Sequence, residues 1–307
     1  MPPLLAGAKI RGADFPASQY AADTTTISGI VSTTPAAGSP EVSVTFIAPT
    51  SGSVLLSVGL SARCATGGNR TFLAPEVRLT NVAGAVVVAA SSVAPRGVSC
   101  PGEPSVFPYR TRTTLLTGLT PGQQYFARTM HWASAASPAV DLQVRDITVT
   151  PTPLGGNRAG TPINALDFSP AVFAQNTTQI DNPVNTAYAS AAPEVSVTFV
   201  APTSGRALLV VGGGAGNSAA GNRIFLAPEV RVGTVAGDVV LSPSVTLRGW
   251  SSDRSAAAFN YGSRESLLEG LIPGTTYFAR VMHAVSADGG TNTQDMAARD
   301  IAVVPCS

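Results

Sequence analysis

The only imidazoles in this chain stand at matched places: His131 closes the run YFARTMH and His283 closes YFARVMH. A histidine does general acid–base work only with a nucleophile or acid in hydrogen-bond reach, and a metal site needs three or four ligands. Neither run brings a carboxylate or thiol alongside in both places, so both histidines are expected to be structural. Glu76 and Arg78 stand two apart, as do Glu229 and Arg231, which on a strand puts each pair on one face and favours an ion pair. Arg145-Asp146 and Arg299-Asp300 also recur; adjacent strand residues point oppositely, so these read as parts of the fold or an interface. Cys64, Cys100 and Cys306 have no metal-ligand spacing, and Cys64 and Cys100 are expected to be free thiols. The run Val211-Gly212-Gly213-Gly214-Ala215-Gly216 lacks the Gly-Lys-Ser/Thr ending of a phosphate loop and reads as a flexible loop. Asn69-Arg70-Thr71 and Asn176-Thr177-Thr178 match the glycosylation sequon but carry little weight without a secretion signal. No catalytic residue, metal ligand or cofactor is expected.

What positions these residues is a sequence written twice. PEVSVTFIAPTSG (from Pro40) returns as PEVSVTFVAPTSG 153 positions on, and NRTFLAPEVR (from Asn69) returns as NRIFLAPEVR (from Asn222). LLTGLTPGQQYFARTMH (from Leu115) returns as LLEGLIPGTTYFARVMH (from Leu267), and RDITVTP (from Arg145) as RDIAVVP (from Arg299). Each copy is long enough for its own core, far longer than a solenoid repeat.

Period two dominates both copies. In Val42-Ser43-Val44-Thr45-Phe46 the apolar residues share one face, as in a half-buried strand. Seven or so such runs per copy, between Gly/Pro-rich turns, predict an all-β chain of two tandem antiparallel β-sandwich domains. The stretches from Leu119 to Tyr125 and from Leu271 to Tyr277 read as a tight connection whose tyrosine hydrogen-bonds back across it, as in fibronectin type III modules. A jelly-roll or C1q-like sandwich fits equally. The predicted organisation is an extended docking arm (1–39), a sandwich (40–153), a second arm (154–192) and a second sandwich (193–307).

In the run ending at His131, Tyr125, Ala127, Thr129 and His131 share one face, the better candidate for the core. Phe126, Arg128, Met130 and Trp132 share the other, matched by Phe278, Arg280 and Met282. Aromatic, methionine and arginine side chains are enriched at interfaces, so this face is a candidate contact between copies or subunits. Asp14-Phe15 in the first arm is echoed by Asp167-Phe168 in the second, an aspartate–aromatic pair suited either to docking on a neighbour or to capping its own sandwich.

Of 307 residues only 12% are charged, about half the usual share, and the net charge is +1. Nucleic acid is therefore not an expected partner. No stretch reaches the roughly 18 apolar residues of a membrane helix, and the N-terminus shows no secretion signal, so synthesis in the cytoplasm without membrane insertion is expected. A surface so poor in charge suggests cover by neighbouring chains.

The KIRGADFP opening with PEVSVTFIAPTSG, NRTFLAPEVR and LLTGLTPGQQYFARTMH resembles modules of tail-associated proteins of actinobacterial phages and prophages. The resemblance spans Lys9 to Pro151 and, with a divergent arm, Ile163 to Pro305. It implies a non-enzymatic virion component made in the host cytoplasm, a minor tail, fibre or capsid-surface subunit. Such a subunit would assemble with itself, in the family style as a trimer, and with other virion proteins, its outer loops touching the host envelope. The alternative is a cell-surface carbohydrate-binding adhesin with an aromatic platform near Trp132 or Trp250 and affinity for an envelope glycan.

Overall fold

A computed structural model of the chain describes residues 16–91, 96–100, 102, 104, 107–152, 165–217, 223–252, 259–286 and 294–306. The first copy contributes β1 (Gln19–Asp23), β2 (Ile27–Ile30), β3 (Ala36–Ala37), β4 (Ser43–Ile47), β5 (Val54–Arg63), β6 (Thr71–Leu79), β7 (Val86–Val88), β8 (Val98–Cys100), β9 (Tyr109–Leu116), β10 (Gln124–Ala133) and β11 (Val140–Pro151). The second contributes β12 (Val172–Asn176), β13 (Ala189–Ser190), β14 (Ser196–Val200), β15 (Ala207–Asn217), β16 (Ile224–Val232), β17 (Val239–Leu241), β18 (Trp250–Ser251), β19 (Asn260–Leu268), β20 (Thr276–Val285) and β21 (Gln294–Pro305).

Each copy is a sandwich of two antiparallel sheets. In the first, one sheet runs β1-β11-β5-β9 with β2 also on β11; the other runs β3-β10-β6-β7, with β4 on β10 and β8 on β6. The second copy repeats this as β12-β21-β15-β19 and β13-β20-β16-β17, with β14 on β20 and β18 on β16. The alternation seen in sequence drives the packing: Val44 and Phe46 of β4 are buried while Thr45 and Ile47 face out. Val54, Leu56, Val58, Leu60 and Ala62 of β5 meet Leu73 and Val77 of β6 and Tyr125 and Ala127 of β10 in one core.

The tyrosine connections form as expected. The Thr120 amide donates to the Tyr125 hydroxyl at 3.0 Å, and the Ile272 amide to the Tyr277 hydroxyl at 2.9 Å. Each tyrosine ring also stacks on a β4 or β14 phenylalanine, Phe46 or Phe199, with centroids 5.6 Å apart.

The segments read as extended arms are built differently. Described residues of 1–39 and 154–192 supply β1, β2 and β12, which extend the sheets through β11 and β21. Fully buried Arg145 clamps the first segment, bonding to Asp23 and to the Thr25 (3.1 Å) and Pro40 (3.3 Å) carbonyls. Arg299 does the same with Asn176, Thr178 and Pro193. Asp14 and Phe15 lie outside the described residues. Asp167 is buried in a short 3₁₀ turn (Ala165–Phe168), where Thr203 of its own sandwich donates to it.

The glycine run is not a flexible loop. Gly212, Gly213 and Gly214 lie within β15, between β19 and β21. A Cβ there would come within 2.5 Å of an Asp300 carboxylate oxygen, 2.2 Å of Leu226 and 2.2 Å of Tyr261 respectively. Glycine is needed for close approach, and pairing on both edges holds the backbone extended.

Candidate functional site

The two sandwiches meet chiefly along the equivalent strands β9 and β19, but not symmetrically: β15 and β21 of the second copy also lie against β9. At one end Leu55 and Leu115 pack with Val210, Ala302 and Val304, beside Leu208, Ala171 and Phe173. At the other, Phe72, Ala74 and Trp132 pack with Tyr261 and Ala298, beside Phe259. Between the two clusters the Arg112 guanidinium bonds to Asp300 and donates to the carbonyls of Gly213 (2.9 Å) and Gly262 (3.3 Å). Arg112 is 0% exposed and Asp300 1%. Burial pushes the Asp300 carboxyl up to about 6, against the pull of Arg112 and Arg96. Polar contacts complete the seam: the Thr113 amide donates to Ser263 Oγ at 2.7 Å, the Tyr261 amide to Ser99 Oγ at 2.9 Å, and Arg70 to the Phe259 carbonyl.

The sequence is adapted to this asymmetry. Across the repeat, Ser57, Thr148 and Thr150 of the first copy correspond to Val210, Ala302 and Val304 of the second. The hydroxyl-bearing set lies on a half-buried outer face, while the apolar set is fully covered. Exchanging three hydroxyls for methyl-bearing groups is what a solvent-facing sheet needs to become a docking face. The divergence between copies was therefore the available signal for the seam, a signal that period-two reading within one copy does not use.

Beside the seam is a partly open cleft of about 190 Å³. Equivalent stretches of the two copies line it, Tyr109-Arg110-Thr111 and Tyr261-Gly262-Ser263, together with Ser99, Trp250, Ser251 and Asn260. No Asp, Glu, His or Cys is among these lining residues. Asn260 is only 4% exposed, yet neither its amide oxygen nor its amide nitrogen has a hydrogen-bond partner in the protein. Leaving a buried amide unpaired costs about 1–3 kcal/mol, a cost that a hydroxyl or water reaching Asn260 from the cleft would remove. Trp250 and Asn260 replace Val98 and Pro108 of the first copy, so these groups are particular to the second.

The other residues singled out by sequence lie apart from this cleft. Glu76 pairs with Arg78 at 2.6 Å and Glu229 with Arg231 at 2.8 Å. The same glutamates receive Arg128 and Arg280, which also reach Glu41 and Glu194 at 2.9 Å. Beside these arginines, Phe126 and Phe278 are half-buried and Met130 and Met282 buried. Trp132 joins the seam. His131 and His283 are buried, and among the described residues no group of three or more His, Cys, Asp or Glu is placed to hold an ion. Cys64 and Cys100 are buried, their thiols donating to the carbonyls of Gly67 (3.3 Å) and Pro108 (3.1 Å) respectively. Asn69, of the first sequon, is buried, and its amide nitrogen is engaged by the Ala135 (2.7 Å) and Pro138 (2.6 Å) carbonyls.

No protein-family model matches the chain, and no curated protein matches it. Among solved structures, the CBM22-1–CBM22-2 tandem domain of Paenibacillus barcinonensis Xyn10C is similar at 9% identity and a TM-score of 0.24, covering 92% of each chain. A structure of infectious bursal disease virus, Gx strain, is similar at 11% identity and a TM-score of 0.25, covering 95% of this chain and 73% of the other. Broad Bean Stain Virus gives 10% identity and a TM-score of 0.26, covering 97% and 93%. Likenesses this distant carry no argument about ligand or partner; the fold itself, two tandem antiparallel sandwiches, stands on the strand pairing described above.

Proposed function

We propose that the chain is a non-catalytic recognition protein that binds a glycan unit in the seam cleft. A pyranose offers an apolar face of C–H groups and a rim of hydroxyls that both donate and accept. Aromatic side chains suit the first, and a planar amide with neighbouring serine and threonine hydroxyls suits the second. The cleft brings Trp250, Tyr109 and Tyr261 together with Asn260, Ser99 and Ser263. The observation that carries this reading is the Asn260 amide, buried at the cleft with both of its polar ends unpaired. Hydrolysis of a glycosidic bond calls on two carboxylates, and the lining supplies neither, which supports binding over turnover.

The test is a glycan-array screen of the full chain, followed by titration of the sugars retained, with Asn260→Leu alongside. Replacing an unpaired buried amide with an apolar group of similar size should leave folding stability unchanged or raise it. Binding should fall about tenfold or more, as when a buried polar recognition pair is lost. An array with no retained glycan, or equal binding by Asn260→Leu, would refute the proposal.

A second reading, a structural subunit of a phage tail, fibre or capsid surface, has separate support in the repeated motifs and in the low share of charged residues. In that reading Phe126 and Phe278, each next to an arginine bridged to two glutamates, are contacts for neighbouring subunits. Sedimentation velocity of the full chain tests it: the parent should associate and Phe126→Ser/Phe278→Ser should associate more weakly, whereas a parent that stays monomeric, or equal association by the variant, refutes this reading.

A further inference from the structure

The cleft opens onto a sheet face through one residue. At about 190 Å³ it is smaller than the roughly 300–1,000 Å³ pockets that enclose larger ligands, so it takes a single sugar unit. Tyr109 lines the cleft and also stands on the outer face of the sheet ordered β1-β11-β5-β9. Its hydroxyl donates to Asp146 of β11 at 2.6 Å, which draws the side chain across β5. The β5 residue in that row is Gly59, paired with Asp146 on one side and Thr111 on the other. A Cβ there would come within 2.1 Å of the Tyr109 hydroxyl oxygen and 2.5 Å of an Asp146 carboxylate oxygen. Glycine is what lets Tyr109 lie so close to the sheet.

Across the same face stands Tyr20 of β1, paired with Thr148 and 69% exposed. Burial, Asp146 and Tyr20 together hold the Tyr109 phenol above its ordinary value, so the two tyrosines are near enough to act on each other. Ser57, Thr111 and Thr148 place hydroxyls between them, half-buried or exposed. Residues directly opposite on paired strands, or two apart along one, share a face. The equivalents of Tyr20, Ser57 and Thr148 in the second copy are Phe173, Val210 and Ala302, which pack in the seam. Only the first copy keeps this aromatic and hydroxyl surface open.

We infer that the glycan is a linear chain, which leaves the cleft over Tyr109 and crosses this face to a second aromatic platform at Tyr20. Binding here presupposes the glycan reading of the cleft and adds the class of ligand to it, an oligosaccharide in place of a single sugar. From β9 to β1 is three strand spacings, about 14 Å, which one sugar unit does not span and a short chain does. The order aromatic, hydroxyls, aromatic matches a chain whose units each carry an apolar face and a polar rim. Continuity through Tyr109 is what assigns the face to the same ligand as the cleft. Units lying on an open sheet keep many hydroxyls in water, so Tyr20 selects chain length, while the enclosed Asn260 end selects sugar identity.

NMR titration of the full chain tests it, with the monosaccharide, disaccharide and tetrasaccharide of whichever glycan the array retains. Affinity should rise with chain length. Tyr20→Ala should bind the tetrasaccharide about tenfold more weakly and the monosaccharide as the parent does. Tyr20→Phe, which keeps the ring, should bind the tetrasaccharide like the parent. Circular dichroism and thermal melting confirm that both variants are folded, as expected for so exposed a side chain. Affinity that does not grow with length, or a tetrasaccharide bound equally by Tyr20→Ala, overturns the inference and leaves the cleft reading standing. An array that retains no glycan removes both.

Discussion

Both histidines lie two residues before the ends of β10 and β20, buried, with Nδ1 lacking a hydrogen-bond partner. Burial holds each below its ordinary value, and the positive charge of Arg145 beside His131, or Arg299 beside His283, adds to the effect. The unfolded chain takes up these protons near pH 6.5. The folded chain resists them, so the histidines' contribution to stability is complete above about pH 6.5 and is lost as pH falls toward their lower folded values. Asp300 has the opposite sign. Its carboxyl, pushed up to about 6, favours the folded state at low pH and loses that contribution as pH rises from about 4 toward 6. The diagnostic is therefore a comparison: in urea melts between about pH 7 and pH 5, His131→Gln/His283→Gln should lose less stability than the parent. Equal losses would mean that the imidazoles are protonated as readily inside as outside. At this scale the sequence was informative about pairing: the two-residue spacing of Glu76 and Arg78 marked their ion pair. It was silent about Arg112 and Asp300, because residues 188 positions apart meet only once two domains have docked.

Elements were legible where alternation and turns agreed. Thr71–Leu79 and Ile224–Val232 form strands at the places where the repeated FLAPEVR motif stands, since both carry β-branched and apolar residues on a buried face. β1 and β2 were missed because Gln19–Asp23 and Ile27–Ile30 are short, and partly exposed. They become strands by adding to β11, a tertiary cause that local propensity does not contain. The β15 glycines were misread for the complementary reason: their composition signals a loop, while the space they leave is filled by Asp300, Leu226 and Tyr261 from neighbouring strands. The tyrosine connections were readable because a proline-glycine turn and its tyrosine are close in sequence. Removing either hydroxyl, with Tyr125→Phe or Tyr277→Phe, should cost about 1 kcal/mol in equilibrium unfolding. The two losses should add, as the sites belong to different sandwiches. A negligible loss at both sites would leave stacking on Phe46 and Phe199 as the tyrosines' contribution.

For the molecule as a whole, the seam decides whether two domains behave as one. Arg112 and Asp300 are a fully desolvated pair, whose attraction must offset the cost of stripping both ions of water. Removing one partner, with Arg112→Met or Asp300→Asn, should destabilise the protein by about 3–5 kcal/mol, since a buried charge or its acceptors are stranded. Arg112→Met/Asp300→Leu should cost much less than the two single losses combined, because an apolar seam centre would join the flanking clusters. Calorimetry reads both magnitude and cooperativity. A double variant as unstable as the summed singles would mean that the Gly213 and Gly262 carbonyls, and not the carboxylate, set the cost.

The cleft draws Tyr109 from one copy and Tyr261 from the other, so two halves jointly furnish a single pocket. On the proposed glycan reading, doubling the gene has therefore not doubled this cleft, since each copy lends only part of its lining. Avidity for a crowded glycan surface would have to arise from stringing molecules together, with linkage geometry setting the effective concentration.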